Sequence, residues 1–420
     1  MFTKAFSFPV GSGDVVSGIL EAENNLLVDY SAYCKPIYIK NLLKRSRIIP
    51  RFRLFVCNPD GTRRYQIPND DIASGGSYSE NYQNGQRRTL SFTLINNTGK
   101  YTPGIDTIWI NTVIALDIGI IAPEDGITFW FQKGIFIVNS ANPTHTNKDC
   151  TVAVECSDKF SLLTGAMGRL VNTVEIPSGT LIEDVINDTL KNPTGNGYVF
   201  DSSPFIYNSA FKGRKTPLTV SGSSGSNWGD LLTQLADILS AEIFYNSEGR
   251  LTLIPTTEVI SDRDKPVLFD FVDVLGDFQN DNMTFEMNEF INKVVVIGSN
   301  VNGHTVTAEA INDNPSSPLC YQKIGYRMKE PINDSNITND FLAQERADYE
   351  LRKASIAKTK LSSTVFLNPL LSVNNLVTFT DEFFSFRKER FLVQSISFNL
   401  DYNGIMSLTV SNINDLPYLT

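Results

Sequence analysis

The chain has 420 residues, 41% of them hydrophobic, enough for roughly two to four domains of ~100–200 residues each. Its 36 Lys and Arg against 46 Asp and Glu give a net charge of −10. That excludes a general nucleic-acid binder, whose affinity rests on cations neutralising phosphates. Five scattered cysteines without a CxxC pair argue against a disulfide framework, and no run reaches the ~18 apolar residues of a membrane span.

Residues 1–46 read as an N-terminal arm. Its start lacks an unbroken apolar stretch, so no signal peptide is expected, and residues 40–45 read as a short basic helix. Strand patterns dominate from residue 50. Residues 52–57 alternate, and Asn58-Pro59-Asp60-Gly61 is a turn in which Pro presets φ and Gly accepts φ > 0. Residues 64–67 return as the hairpin partner. Residues 89–95 place Leu90, Phe92 and Leu94 on one face. Further strands centred near residues 114, 136 and 153 complete a mainly β domain at 47–170.

The middle changes character. Thr180-Leu181-Ile182-Glu183 has the capping-box pattern, and Ile182, Val185, Ile186 and Leu190 then share a helical face. A Gly/Ser-rich loop at 222–227 precedes a second helix carrying Leu231, Leu232, Leu235, Ile238 and Leu239. A hairpin follows at 241–254. These elements predict a small α/β domain at 171–280. The last third, 281–420, returns to β with one helix. Strand patterns occupy 292–298 and 306–310. Thr338 is placed to cap a helix with Ala343, Ala347, Leu351 and Ala354 on one stripe. A strand at 361–366 and an Asn368-Pro369 turn follow.

One phrase recurs. Phe136-Ile137-Val138-Asn139-Ser140 is echoed by Phe391-Leu392-Val393-Gln394-Ser395, 255 residues later (391 minus 136). Similar strands precede both copies, at 110–117 and 373–381. Similar strands follow both, at 151–155 and 406–410. That spacing fits two copies of one β-domain with an insert between them.

The order of three phrases resembles the tail-hub (baseplate-hub) proteins of long-tailed bacteriophages and contractile injection systems. They are the strand-then-Asn phrase at 90–101, the helix–hairpin insert at 231–255 and the block 292–410; the resemblance spans roughly 50–415. It implies a mainly β chain with an α+β insert: two similar tube-type β-barrel domains flanking a small α/β domain. It implies a homotrimer whose six β-domains match a six-fold tail tube or distal tail protein above and a central spike or fibre below. The tape measure protein and DNA then pass through the channel. DNA is a partner only in transit, and no membrane anchor is expected. The expected place is the tail tip or baseplate of a virion assembled in the host cytoplasm. Ending soon after the second β-domain, the chain is expected to lack the hydrolase domain of larger relatives.

No constellation reads as catalytic, and no cofactor or metal is expected. The two histidines, His145 and His304, sit in turn-like sequence without a nucleophile elbow beside them. His145, Cys150 and Cys156 match no zinc spacing, and alternation favours burial of the cysteines. Asp270, Asp273, Asp277 and Asp281 lack the spacing of a calcium loop and read as a solvated linker. The rival readings are a cell-wall hydrolase and a host-receptor-binding module. Trp109, Trp130 and Trp228 fall in strand or helix patterns, where core packing is the expectation. The one candidate interaction site is a basic patch, Lys40, Lys44, Arg45, Arg47, Arg51 and Arg53, weighed as a dock for an acidic tail protein against a solvated face.

Overall fold

The computed structural model describes all residues except 1, 10–13, 23–32, 45–48, 105–107, 123–125, 148, 192–198, 256–265, 273–277, 286–289, 302, 335–336, 357–358 and 414–420. The fold is mainly β. The first third carries strands β1 (Phe2–Pro9), β2 (Val15–Ala22), β3 (Ile49–Cys57), β4 (Arg63–Ile67), β5 (Ile72–Asn81), β6 (Arg88–Ile95), β7 (Val113–Ala122), β8 (Ile127–His145) and β9 (Cys150–Asp158). They lie in the order β5-β6-β9-β8-β7-β3-β4, with β1 and β2 attached to β8. Alternation sets the core face: Leu90, Phe92 and Leu94 are all buried. At the β3–β4 turn Gly61 has φ 85, and its N–H donates to the Asn58 carbonyl at 2.9 Å.

The stretch read as an N-terminal arm is built into this sheet. β1 pairs β2, and β2 pairs the start of β8, Gly18 opposite Phe131. A Cβ on Gly18 would lie 1.9 Å from the Trp130 carbonyl oxygen, so only glycine permits that approach. Helix α1 (Pro36–Leu43) buries Ile39, Leu42 and Leu43 in the same core.

The middle holds helices α2 (Ser161–Thr164), α3 (Ile182–Lys191) and α4 (Trp228–Ile238). Strands β10 (Val174–Ile176) and β12 (Val220–Gly222) pair, and β11 (Ile206–Tyr207), β14 (Leu251–Pro255) and β13 (Ala241–Tyr245) make a small sheet. The apolar stripes of α3 and α4 share one core with Ile243 and Leu253. The capping box does not form. Thr180 donates its hydroxyl to the Pro177 carbonyl at 2.7 Å, and Glu183 accepts from the Gly213 N–H at 2.9 Å. A local carbonyl has taken the Thr180 side chain, and a tertiary amide that of Glu183.

The last third carries β15 (Phe269–Val272), β16 (Phe278–Phe285), β17 (Lys293–Val301), β18 (His304–Ile311), helix α5 (Tyr321–Ile324), β19 (Ile332–Asn333), helix α6 (Asp340–Ile356), β20 (Thr359–Phe366), β21 (Leu376–Asp381), β22 (Phe386–Asn399) and β23 (Ile405–Asn412). β17, β18 and β19 form a separate three-stranded sheet, against which α6 buries Ala343, Ala347 and Leu351. The cap of α6 is Asn339 rather than Thr338: its side-chain oxygen accepts from the Leu342 N–H at 2.9 Å. Of the acidic run, Asp270 lies in β15 and Asp281 in β16, so both are strand residues rather than linker; Asp273 and Asp277 lie outside the described residues.

The remaining strands have the order β16-β20-β23-β22-β21-β15. This repeats β5-β6-β9-β8-β7 of the first sheet, with β15 where β3 stands. The sequence echo has a backbone cause. The long strand of each copy carries one extra residue, Asn139 in β8 and Gln394 in β22, where its register against the last strand shifts. Each hairpin opens on a left-handed asparagine, Asn111 at φ 67 and Asn374 at φ 63. Each donates its N–H to the carbonyl just before the extra residue, Val138 at 3.0 Å and Val393 at 2.8 Å.

Candidate functional site: the joint between the two sheets

Beyond Gln394, β22 leaves β21 and pairs with β5, from Ser395 opposite Asn81 to Asn399 opposite Ser77. The two copies thereby become one continuous sheet. The Tyr82 N–H donates to the Gln394 carbonyl at 2.8 Å, and the Leu400 N–H donates to the Gly76 carbonyl at 2.7 Å. On the core side Phe398 stacks on Tyr78 with ring centroids 4.7 Å apart.

A buried ionic cluster lies behind the joint. Arg88 donates to the carboxylates of Asp14 and Glu80 and to the Tyr245 carbonyl. The Tyr78 hydroxyl donates to Glu80 at 2.9 Å. Lys133 donates to the Leu371 carbonyl of the second copy. Arg87 lies on the Phe244 ring and donates to Glu242 at 2.8 Å, and Glu242 also accepts from Tyr82 at 2.6 Å and Asn374 at 3.3 Å. Asp158 accepts the backbone N–H groups of Arg87, Arg88 and Phe160 at 2.7–3.0 Å.

The cluster therefore ties the N-terminal strands, both sheets and the helical insert to one point. Burial raises the Asp14 carboxyl, but Arg88 and the Ser247 and Val15 amides outweigh it and leave its pKa below the ordinary value. Burial pushes Asp158 up to about 6, against the N–H groups of Arg88 and Arg87 and the Arg88 charge. Burial holds the Lys133 ammonium below its ordinary value, against the attraction of Glu80.

No protein-family profile and no curated protein matches the sequence. Solved structures do match. The prophage MuSo2 43 kDa tail protein from Shewanella oneidensis aligns with TM-score 0.58 at 17% identity, over 87% of this chain and 99% of that one. The tail protein from Neisseria meningitidis MC58 gives 0.58 at 11%, over 87% and 99%. A Francisella PdpA–VgrG complex gives 0.52 at 14%, over 89% of this chain and 54% of that one. This chain has the fold of phage tail proteins.

Within that tail-protein fold the basic patch is not a single face. Arg53 is buried: its Nε donates to Asp117 and its Nη1 to Glu21, both at 2.9 Å, and its guanidinium lies 3.9 Å from the Trp130 ring centroid. Arg51 lies over the Tyr402 ring, and Lys40 donates to the Val267 carbonyl at 3.3 Å. Lys44 is exposed, 3.9 Å from Asp270. Arg45 and Arg47 lie outside the described residues.

The zinc candidates are not brought together. His145 faces Cys150 at the tip of the β8–β9 hairpin, whereas Cys156 is buried six residues further along β9, about 20 Å away at the rise of a strand. His304 is 3.7 Å from Asp340, and both are exposed. Of the tryptophans, Trp228 is buried and Trp130 half-buried, but Trp109 is exposed, against the core expectation.

A cleft of about 400 Å³ beside the joint is lined by Tyr82, Asn84, Asp237, Glu242 and Tyr349 among others. Its Asp237 carboxylate accepts from Tyr349 at 2.9 Å and Asn84 at 3.2 Å, so it acts as a strut between α4 and α6. The residues of the joint escaped the sequence reading, although a signal was present. Lys133 interrupts an apolar run, and Arg87-Arg88 opens an apolar strand; a charge set among core positions implies a buried partner.

Proposed function

We propose that the chain is a structural virion protein: a homotrimeric tail or baseplate hub that adapts the six-fold tail tube to a three-fold spike or fibre. The observation that carries this reading is the duplication, two sheets of one strand order joined edge to edge within a single chain. A subunit with two alike surfaces presents six when three subunits close into a ring. The tail-protein fold supports the same reading.

The two hub β-domains, 47–170 and 281–420, take tube-type barrel form in this proposal. Residues 171–280 are the α/β insert, and residues 1–46 lend strands to the first domain. The chain works by assembly rather than catalysis. Its partners are a second and third copy, the tube or distal tail protein, the spike or fibre, and the tape measure and DNA in transit. An acidic lumen keeps DNA from adhering. Lys44, with Arg45 and Arg47, is the part of the basic patch that docks an acidic tail protein. The protein assembles in the host cytoplasm and resides at the tail tip or baseplate.

Light scattering after size exclusion tests this. The expected mass is three times 46.8 kDa, with particle images showing a ring of six alike units. A monomer that persists on co-expression with neighbouring tail proteins overturns it.

A further inference from the structure

The two copies of the sheet differ in what their edges hold. In the second copy the outer half of β22 is filled on both sides, by β23 and by β5. In the first copy the corresponding half of β8, Ser140 to His145, pairs with β9 on one side. Among the described residues nothing pairs with its other side, because β7 stops opposite Ile137. Asn142, Pro143, Thr144 and His145 are exposed there. Strand β16 occupies in the second copy the place of β5 in the first. Among the described residues it pairs only with β20, so its outer edge is open as well.

We infer that a second copy of this chain fills the vacant half of β8 with its own β16, in the register that β22 and β5 already use. This rests on the trimeric reading above and names the strands that would carry it. The register follows from the repeat. The offset of 255 that carries the extra residue Gln394 to Asn139 carries Ile396–Asn399 to 141–144. Tyr78 stands opposite Leu90, and Met283 opposite Leu361, at matching positions of their sheets; β5 residues 77–80 therefore correspond to β16 residues 282–285. The intermolecular partners are Ala141 with Phe285, Asn142 with Thr284, Pro143 with Met283, and Thr144 with Asn282.

Side-chain character fits this register. Phe398 on Tyr78, both apolar, becomes Pro143 on Met283. Ser397 on Ser79 becomes Asn142 on Thr284, and Asn399 on Ser77 becomes Thr144 on Asn282. A slip by one residue in either direction would set Asn142 against Met283 or Phe285 and Pro143 against Asn282 or Thr284, polar against apolar. Ala141 and Met283 already pack against the margin of the main core. Backbone groups of Gln394 and Leu400 turn to β5. By the alternation of the strand, Pro143, the counterpart of Phe398, turns its nitrogen to the vacant side. Proline there costs the β8–β9 ladder nothing and withholds one donor from any incoming strand. An arbitrary strand gains less from this edge, and the matched side chains decide which strand pairs.

The experiment is a cysteine cross-link in the full chain. Asn142 and Thr284 fall at a position that does not exchange backbone hydrogen bonds, where Cα atoms approach to about 4.5 Å, within disulfide reach. Oxidised N142C/T284C should run as dimers and trimers on a non-reducing gel. The parental chain with its five cysteines, and the register-shifted N142C/N282C, should run almost wholly as the 46.8 kDa monomer. A parental chain that is trimeric by light scattering, but whose N142C/T284C variant cross-links no more than the shifted control, overturns this pairing and leaves the ring intact. A parental chain that stays monomeric on co-expression with neighbouring tail proteins, with a variant that does not cross-link under the same conditions, overturns both. Each single-cysteine variant, checked for the parental mass, separates loss of assembly from loss of the bond.

Discussion

Two arginines of the first sheet, Arg88 and Arg53, sit in networks of the same chemistry and different surroundings. The Arg88 side chain is 2% exposed, and its partners Asp14 and Glu80 are 3% and 0% exposed. Arg53 pairs with Glu21 and Asp117, but Glu21 keeps 21% exposure, and Asp117 has a second cation in Arg63, 2.8 Å away. Arg88 gathers segments remote in sequence: Asp14 is 74 positions away and Tyr245 is 157. Arg53 links strands of one sheet. The desolvation of a fully buried pair offsets most of its attraction, so such a pair adds little net stability, yet losing one partner strands the others. Arg88 is therefore best understood as fixing which segments meet, and Arg53 as reinforcing a pairing that strand register already defines.

Breaking the buried network gives the largest expected effect. Arg88→Ala leaves Asp14 and Glu80 without their cation and should cost about 3–5 kcal/mol, read as a lower urea midpoint for the first sheet. An Arg88→Ala midpoint equal to that of Arg53→Ala would remove the distinction drawn above. Gly119→Ala probes the other network from beneath. A Cβ at Gly119 would lie 2.7 Å from the Trp130 ring, which rests flat across that glycine and against Arg53. The expected cost is about 1–3 kcal/mol, accompanied by a shift in tryptophan emission as Trp130 is displaced. Unchanged emission would show that the ring is not held by the stack.

The same contrast explains what the sequence disclosed. Local patterns survived: the alternation of Leu90, Phe92 and Leu94, the Pro59-Gly61 turn, and the stripes of α3, α4 and α6 all have the expected faces. The echo was legible because an extra residue and a left-handed asparagine impose the same backbone on both copies. What stayed hidden depends on partners far away in the chain. β1 and β2 pair with each other, and it is the pairing of β2 with β8, more than a hundred positions away, that builds them into the sheet. The Thr180 box has the right letters, but the Gly213 amide, 30 positions on, takes the Glu183 carboxylate, and Thr180 turns back to the Pro177 carbonyl. The strand patterns at 292–298 and 306–310 were visible, whereas their closure into a sheet apart from the main one was not. The basic patch illustrates the limit: of six cations close in sequence, Lys40 lies in α1 and Arg51 in β3, while Arg53 ends in an ion pair with Asp117.

A smaller effect comes from acidity, and its sign is informative. Asp158 has a folded pKa of about 6 against an ordinary 3.8, so the folded state binds its proton more tightly than the unfolded chain. Its contribution to stability is fully present below pH 3.8 and is lost as pH rises through 6. Between pH 7 and pH 5 this one group should add about 1 kcal/mol, and Asp158→Asn should abolish that gain. Asp14 acts oppositely: its pKa is lowered, so its contribution holds above pH 3.8 and fades as pH falls further. Stability should therefore rise on mild acidification and drop on strong acidification; a monotonic fall from pH 7 would contradict the buried-carboxylate account. The smallest effect belongs to the exposed pair of Lys100 and Asp71, 2.8 Å apart. Water screens it, so Lys100→Ala should leave the urea midpoint where it was. If that surface change moved the midpoint as far as Gly119→Ala does, burial would not be what separates Arg88 from Arg53, and ion-pair geometry alone would have to carry the difference.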